Sequence, residues 1–562
     1  MGQEVSATSD VLTPETPEAH ELPSEDSQQA FVRRTVSMSV GTALSRVTGF
    51  LRVSATAFAL GVAQNRLATA YTVANNTPNI IYELVLGGVL TSVFVPVFVQ
   101  WLQERDREDA WDVARSVLTI TFVVLSTMTA ITIVAAPWIV RLYTIGDTGA
   151  GADSARAFAT FCLRLFMPQI VFYGVGAVAT GLLNAHRRFA LPMFAPILNN
   201  LIVIATMIAF VALPGAPDTP APSNITTAQR WLLACGTTLG VVGMTLVLLP
   251  SLRRLGFRFR WRLDWRHSAV RRVAGLALWT LVYVAANQVG LLVVIVMATG
   301  RYEYAAYAAA LILFQLPHAI FAVSIFTALL PAMSARWTSG DKVGFRAQLS
   351  QGIRATAVII LPAVAGYLVL ATPIVRLILQ HGAATQQDTE LVSTILRYFA
   401  LGLFFFSLFQ LLLRAFYAMQ NTRTPALVNV AATAVNIGAN LLFFFGFRMR
   451  VPGLALGYSV SYAFGSIVLL VLIGRRLGAL DWHPMMPTIV RTLVASGVTA
   501  GVAWLVARLI AEALGTGTVL ARLLQVTGAV MAGLLAFVAV ALILRINEVR
   551  TVRRQLTARW RG

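Results

Sequence analysis

The chain has 562 residues, 57% of them hydrophobic and 12% charged, with a formal net charge of +20. Soluble domains carry about 25% charged residues, so a cytosolic enzyme and a largely disordered chain are both excluded. The 44 Lys and Arg fall between apolar runs, which reads as membrane topology rather than nucleic-acid binding.

Residues 1–30 are polar and acidic (Glu4, Asp10, Glu15, Glu18, Glu21). They read as a disordered cytoplasmic tail, not as a signal peptide, which would be basic and then apolar. About fourteen hydrophobic segments follow, from 36–62 and 66–101 to 487–510 and 517–544, each near the roughly 20 residues that span a bilayer. The expected fold class is therefore an all-α polytopic membrane protein, because helices satisfy their own backbone groups in lipid. The second and eighth segments hold Pro78 and Pro317, where kinks or breaks are expected. Cys162 and Cys235 sit in apolar runs and offer no disulfide framework and no metal site.

With the N-terminus in the cytoplasm, inside loops hold about 26 basic residues and outside loops about nine. The positive-inside rule then places both termini in the cytoplasm, with the chain multi-pass in the membrane. The run from Arg253 to Arg272 reads as a topology signal, with a lipid or partner site as the alternative.

An internal repeat is visible. Thr91–Pro96 returns as Thr327–Pro331, Pro137–Leu142 as Pro373–Leu377, Leu163–Phe166 as Leu396–Phe399, and Pro192 as Pro425, at offsets of 233–236 residues. Segments 1–6 (36–252, an N-lobe) and 7–12 (270–474, a C-lobe) thus form two parallel six-helix repeats, as in alternating-access transporters with a site between halves. Two extra C-terminal helices (487–544) and a basic tail (545–562) stand outside the repeat.

No nucleophile–base pair, phosphate loop or metal cluster is present, so no enzyme, no ATP hydrolysis and no cofactor are expected. Charge inside the membrane is the informative signal. Arg46 and Arg52 lie six residues apart in the first segment, with Gly49 between them as a candidate hinge. Either they line a cavity and grip a large anion through forked hydrogen bonds, or they snorkel to an interface. Glu83 either pairs with one of them or binds a coupling proton or cation. The repeat mates Arg164 and Arg397 read as an ion pair or carbonyl cap, or as coupling residues. Arg141 and Arg376 read as interfacial.

Ser45–Arg52 (SRVTGFLR) resembles the SR-x-x-GF-x-R signature of the MurJ/MviN lipid II flippase family of the MOP superfamily. Pro78-Asn79, Gly88–Pro96, Gln315–Pro317, Arg414–Ala418 and Asn421–Pro425 resemble that family's further motifs, over about residues 36–545. The near-exclusive use of Arg over Lys resembles actinobacterial members. The resemblance implies fourteen helices in two lobes, a central cavity, and a groove on the last two helices for a prenyl chain. It implies lipid II, the undecaprenyl-pyrophosphate-linked peptidoglycan precursor, as cargo, with Ser45, Arg46, Arg52 and Asn79 binding it. Membrane lipids and cell-wall synthesis proteins are the implied partners.

The sequence departs from the family at Thr69 and Gly87, where many members carry an acid, and at Ile312, where many carry an arginine. The expected function is flipping of lipid II without ATP, driven by membrane potential or an ion gradient. The alternatives are export of another polyprenyl-linked glycan or MOP-type cargo, and a non-transporting cell-wall scaffold.

Overall fold

The computed structural model describes residues 25–63, 66–86, 107–186, 188–215, 217, 219–262, 268–478 and 480–550. Among them, twelve helical stretches are long and apolar enough to cross a membrane. The first two expected segments correspond to α1 (Glu25–Leu60) and α2 (Arg66–Leu86). Both are helical but stand outside that set of twelve, because Arg46, Arg52, Arg66, Asn75, Asn76 and Glu83 dilute their apolar content. Residues 25–30 of the expected disordered tail already belong to α1. Gly87, the 88–96 motif and residues 551–562 of the basic tail lie outside the described residues.

The first half continues with α3 (Arg107–Tyr143), α4 (Ala152–Phe166), α5 (Gln169–Ala185), α6 (Ala190–Ala212), α7 (Thr227–Leu246) and the short α8 (Leu249–Arg254). The expected single segment 155–183 is split into α4 and α5 at Met167-Pro168, where proline has no N–H to continue the ladder. The second half runs through α9 (Ser268–Thr299), α10 (Tyr304–Pro317), α11 (Val323–Thr338), α12 (Lys342–Leu379), α13 (Gln386–Ala418), α14 (Arg423–Leu441) and α15 (Val451–Leu477). Two further helices follow, α16 (Trp482–Leu514) and α17 (Val519–Ile543).

The break expected at Pro317 is present: α10 ends there and a π turn, His318–Ala322, leads into α11. At Pro78 the expectation of a break fails, and α2 stays α-helical from Arg66 to Leu86. The hinge expected at Gly49 is also absent, since α1 runs through it unbroken. Asn200 on α6 instead packs at Gly49, where an added Cβ would lie 3.5 Å from its Nδ2.

The repeat seen in the sequence is a repeat of packing. In the first half α1 packs on α6, α6 on α7, and α2 on α4; in the second, α9 packs on α14, α14 on α15, and α10 on α13. The second half is filled by rings: Tyr307, Phe314, Phe399, Phe406, Tyr458 and Tyr462 pack at centroid distances of 4.7–6.3 Å. Both α16 and α17 pack on α12, outside the repeat.

Candidate functional site

A cavity of about 590 Å³ opens between the halves. From α1 come Ser45, Arg46, Gly49, Arg52 and Thr56, whose spacing puts them along one broad face of the helix. From α2 come Tyr71, Asn75 and Asn76, from α6 Asn200, and from α10 Ala305, Ala309, Ile312 and Gln315. The cavity is therefore cationic on the first-half wall and nearly apolar on the second.

Arg46 is exposed and Arg52 half-buried. Among the described residues neither makes an ion pair or a side-chain hydrogen bond. On a regular helix they stand about 9 Å apart along the axis, enough to meet successive phosphates of one anion. Their helix is held in place by α6: the Asn200 amide donates to the Thr48 hydroxyl at 3.1 Å and to the Ser45 carbonyl at 3.4 Å. Just beyond Gln315 and Leu316, the π turn carries His318, whose Nδ1 lies 3.0 Å from the Ser407 hydroxyl.

Other candidates lie elsewhere. Asn79 is exposed and Pro78 buried, and neither lines the cavity. Glu83 is half-buried and forms no ion pair with Arg46 or Arg52. Arg397 donates to the Thr372 hydroxyl at 2.8 Å, so among the described residues it meets a hydroxyl rather than the carboxylate or carbonyl expected of it. Arg164 is exposed on the outside of the first half, remote from the cavity. Ile312 does line the cavity, so the charge absent there is a charge absent from the site.

Sequence reasoning missed a polar latch that closes one end of the cavity. It gathers at the face where α1, α3, α9 and α12 end. Arg66 grips Asp147 with Nε at 3.1 Å and Nη2 at 3.0 Å, and the Asp147 side chain is 2% exposed. Tyr302, from the second half, donates to Asp147 at 2.8 Å, and its ring lies 3.7 Å from the Arg66 guanidinium carbon. Arg66 also donates to the Tyr302 hydroxyl oxygen.

Thr69, expected as a gap in the cavity's charge, belongs to this latch: its hydroxyl donates to the Tyr302 carbonyl. The Asn76 amide donates to the Tyr304 hydroxyl at 3.0 Å. Gly146 and Gly300 pack backbone to backbone beneath these contacts. A second clasp joins the Ala63 N–H to Asp388 Oδ1 at 2.8 Å, and the Ala383 N–H to the Phe58 carbonyl at 2.9 Å. Beside the latch, burial pushes the Glu303 carboxyl above the ordinary glutamate range, offset in part by Arg301 and Arg450.

Two halves of like packing, an anion-suited cavity between them and a latch at one end define a polytopic helical membrane protein. The family model described as "Lipid II flippase MurJ" matches residues 24–525, and the chain belongs to that family. It is 27% identical over 526 residues to the probable lipid II flippase MurJ of Vibrio cholerae, covering 91% of this chain and 96% of that one. It is 27% identical over 457 residues to the lipid II flippase MurJ of Burkholderia cenocepacia, covering 79% and 84%. Among solved structures, a lipid II flippase MurJ in an inward closed conformation matches with a TM-score of 0.71 at 21% identity, covering 91% of this chain and 99% of that one. An inward-facing multidrug resistance MATE transporter of the MOP superfamily matches with a TM-score of 0.64 at 15% identity, covering 77% and 94%.

Proposed function

We infer that this chain moves lipid II across the cytoplasmic membrane by alternating access, without covalent chemistry. The observation that carries the reading is the pair Arg46 and Arg52, unpaired in a cavity between two lobes of a chain belonging to the MurJ family. Two guanidiniums with no protein partner suit a diphosphate, which takes forked, charge-assisted hydrogen bonds. Pockets of about 300–1,000 Å³ enclose drug-sized groups, so this one suits the diphosphate and the adjoining sugar rather than the whole cargo.

The topology we propose has both termini in the cytoplasm. The latch then lies at the outer face, and the cavity loads from the inner leaflet. Releasing Arg66–Asp147–Tyr302 opens the opposite exit. Membrane potential supplies the bias, since one charge crossing the field is worth about 2.3 kcal/mol per 100 mV.

The test is depletion of the protein in its own host, followed by a membrane-impermeant enzyme that cleaves lipid II from outside. Lipid II accumulating inside while the outer pool collapses is the expected outcome. Normal pools on both leaflets, with no second flippase present, would sink the reading.

A further inference from the structure

A second cationic site lies on the outside of the first half, away from the cavity. A groove of about 780 Å³ runs between the last turns of α3 and the outward face of α4. Arg141, Arg156 and Arg164 line it, with Asp153 as its acid. Arg156 is held within the protein. It pairs with Asp153 at 3.0 Å, its Nε donates to the Thr144 hydroxyl at 3.1 Å, and its Nη2 donates to the Asp147 carbonyl. Arg141 and Arg164 are exposed, and neither has an ion pair or hydrogen bond among the described residues. Arg164 is twelve residues into α4, roughly 18 Å along its axis. A charge at that depth facing lipid is costly without a counter-anion.

The repeat shows what the same surface does elsewhere. With Pro137 aligned on Pro373, Val134 corresponds to Leu370 and Ala136 to Thr372. In the second half α16 and α17 cover this face: Leu370 is 2% exposed and packs with Ala503, Ala507 and Ala529. There Arg397 is satisfied by Thr372. Among the described residues no helix covers it in the first half. Val134 is 66% exposed, Trp138 62% and Ile131 57%, and alanine at 136 gives Arg164 no hydroxyl.

We propose that this groove binds the phosphate of an anionic phospholipid from the leaflet at the latched face. Arg141 and Arg164 hold the phosphate, and the acyl chains lie along Ile131, Val134 and Trp138 where the second half uses α16 and α17. Charge complementarity selects the occupant: three arginines against one carboxylate, above an apolar stripe. The site communicates with the latch, because Arg156 on its wall bonds the backbone of Asp147.

The experiment uses the full chain in nanodiscs, titrated with phosphatidylglycerol against phosphatidylcholine and read by native mass spectrometry. The wild type retains one phosphatidylglycerol in preference to phosphatidylcholine. Arg141→Gln with Arg164→Gln weakens that binding roughly thirtyfold, from about 1 kcal/mol per arginine near a charged lipid surface. Arg141→Lys with Arg164→Lys keeps most of it. Should the double Gln variant not fold, Arg164→Gln alone serves instead and weakens the lipid about fivefold, from about 1 kcal/mol for one arginine. Equal retention of both lipids, unchanged binding in these variants, or retention of lipid II but not phosphatidylglycerol at the groove overturns the proposal.

Discussion

Arg46 and Arg52 are informative because none of the described residues neutralises them. The half-buried Arg52 guanidinium, with no partner among the described residues, carries a desolvation cost that an arriving anion removes. Hydrogen bonds to charged groups are worth about 1.5–3 kcal/mol each, so Arg52→Ala is expected to lower transport about tenfold to a hundredfold. Arg52→Lys recovers part of that, since an ammonium keeps the charge but loses the fork. The measurement is the externally cleavable lipid II pool at equal protein levels, and wild-type transport by Arg52→Ala would remove the residue from the site. These two arginines were legible in the sequence because charge within an apolar run stands out. Asn79 and Glu83 were not placed correctly, because their direction depends on α2 staying regular through Pro78, and one proline in a helix leaves that open. Gly49 reads as a hinge, but α1 runs unbroken through it, with Asn200 at van der Waals distance from an added Cβ.

At the scale of elements, the latch decides which face is closed. Asp147 is almost fully buried, with Arg66 and Tyr302 as its partners. Removing one partner of a buried pair typically costs about 3–5 kcal/mol. Arg66→Ala is therefore expected to open the latched face, lowering disulfide formation between Gly146→Cys and Gly300→Cys in a background without Cys162 and Cys235. Unchanged cross-linking would show that the backbone clasps at Ala63 and Ala383 hold the face alone.

Glu303 adds a pH dependence. Its carboxyl is raised by burial, and its Oε2 is buried without a hydrogen-bond partner. An acid with a raised folded value favours the folded arrangement below the ordinary glutamate range, and that contribution is lost as pH rises through the raised value. Cross-linking of the latched face is expected to weaken over that rise, and Glu303→Gln to flatten the profile; the same slope in both proteins would exonerate Glu303. None of this was legible in the sequence, because Arg66 is 81 residues from Asp147 and 236 from Tyr302. Only the fold brings them together. Thr69 looked like a lost cavity charge for the same reason.

At the scale of the whole molecule, the repeat was the most legible feature, since four short matches at nearly one spacing fix the pairing of entire helices. Its asymmetries were less visible. The cavity takes its charge from the first half because aromatic rings fill the second, and α16 with α17 covers a face on α12 that the first half leaves bare. We assign those two helices to the prenyl chain of the cargo, and truncation after Gly478 tests the assignment. In lipid, uncovering Leu370 and Ile374 exchanges protein contacts for acyl chains that are equally apolar, so no hydrophobic penalty opposes the loss. The contacts surrendered are polar: Arg354 with Glu548 at 3.2 Å, and Arg522 with the Gln380 carbonyl at 3.0 Å. The truncated protein is expected to insert and to form the Gly146→Cys–Gly300→Cys cross-link, yet to leave lipid II inside. Restoration of the outer pool by the truncated chain would show that the prenyl tail travels without α16 and α17, and would leave the two arginines and the latch as the whole of the transport machinery.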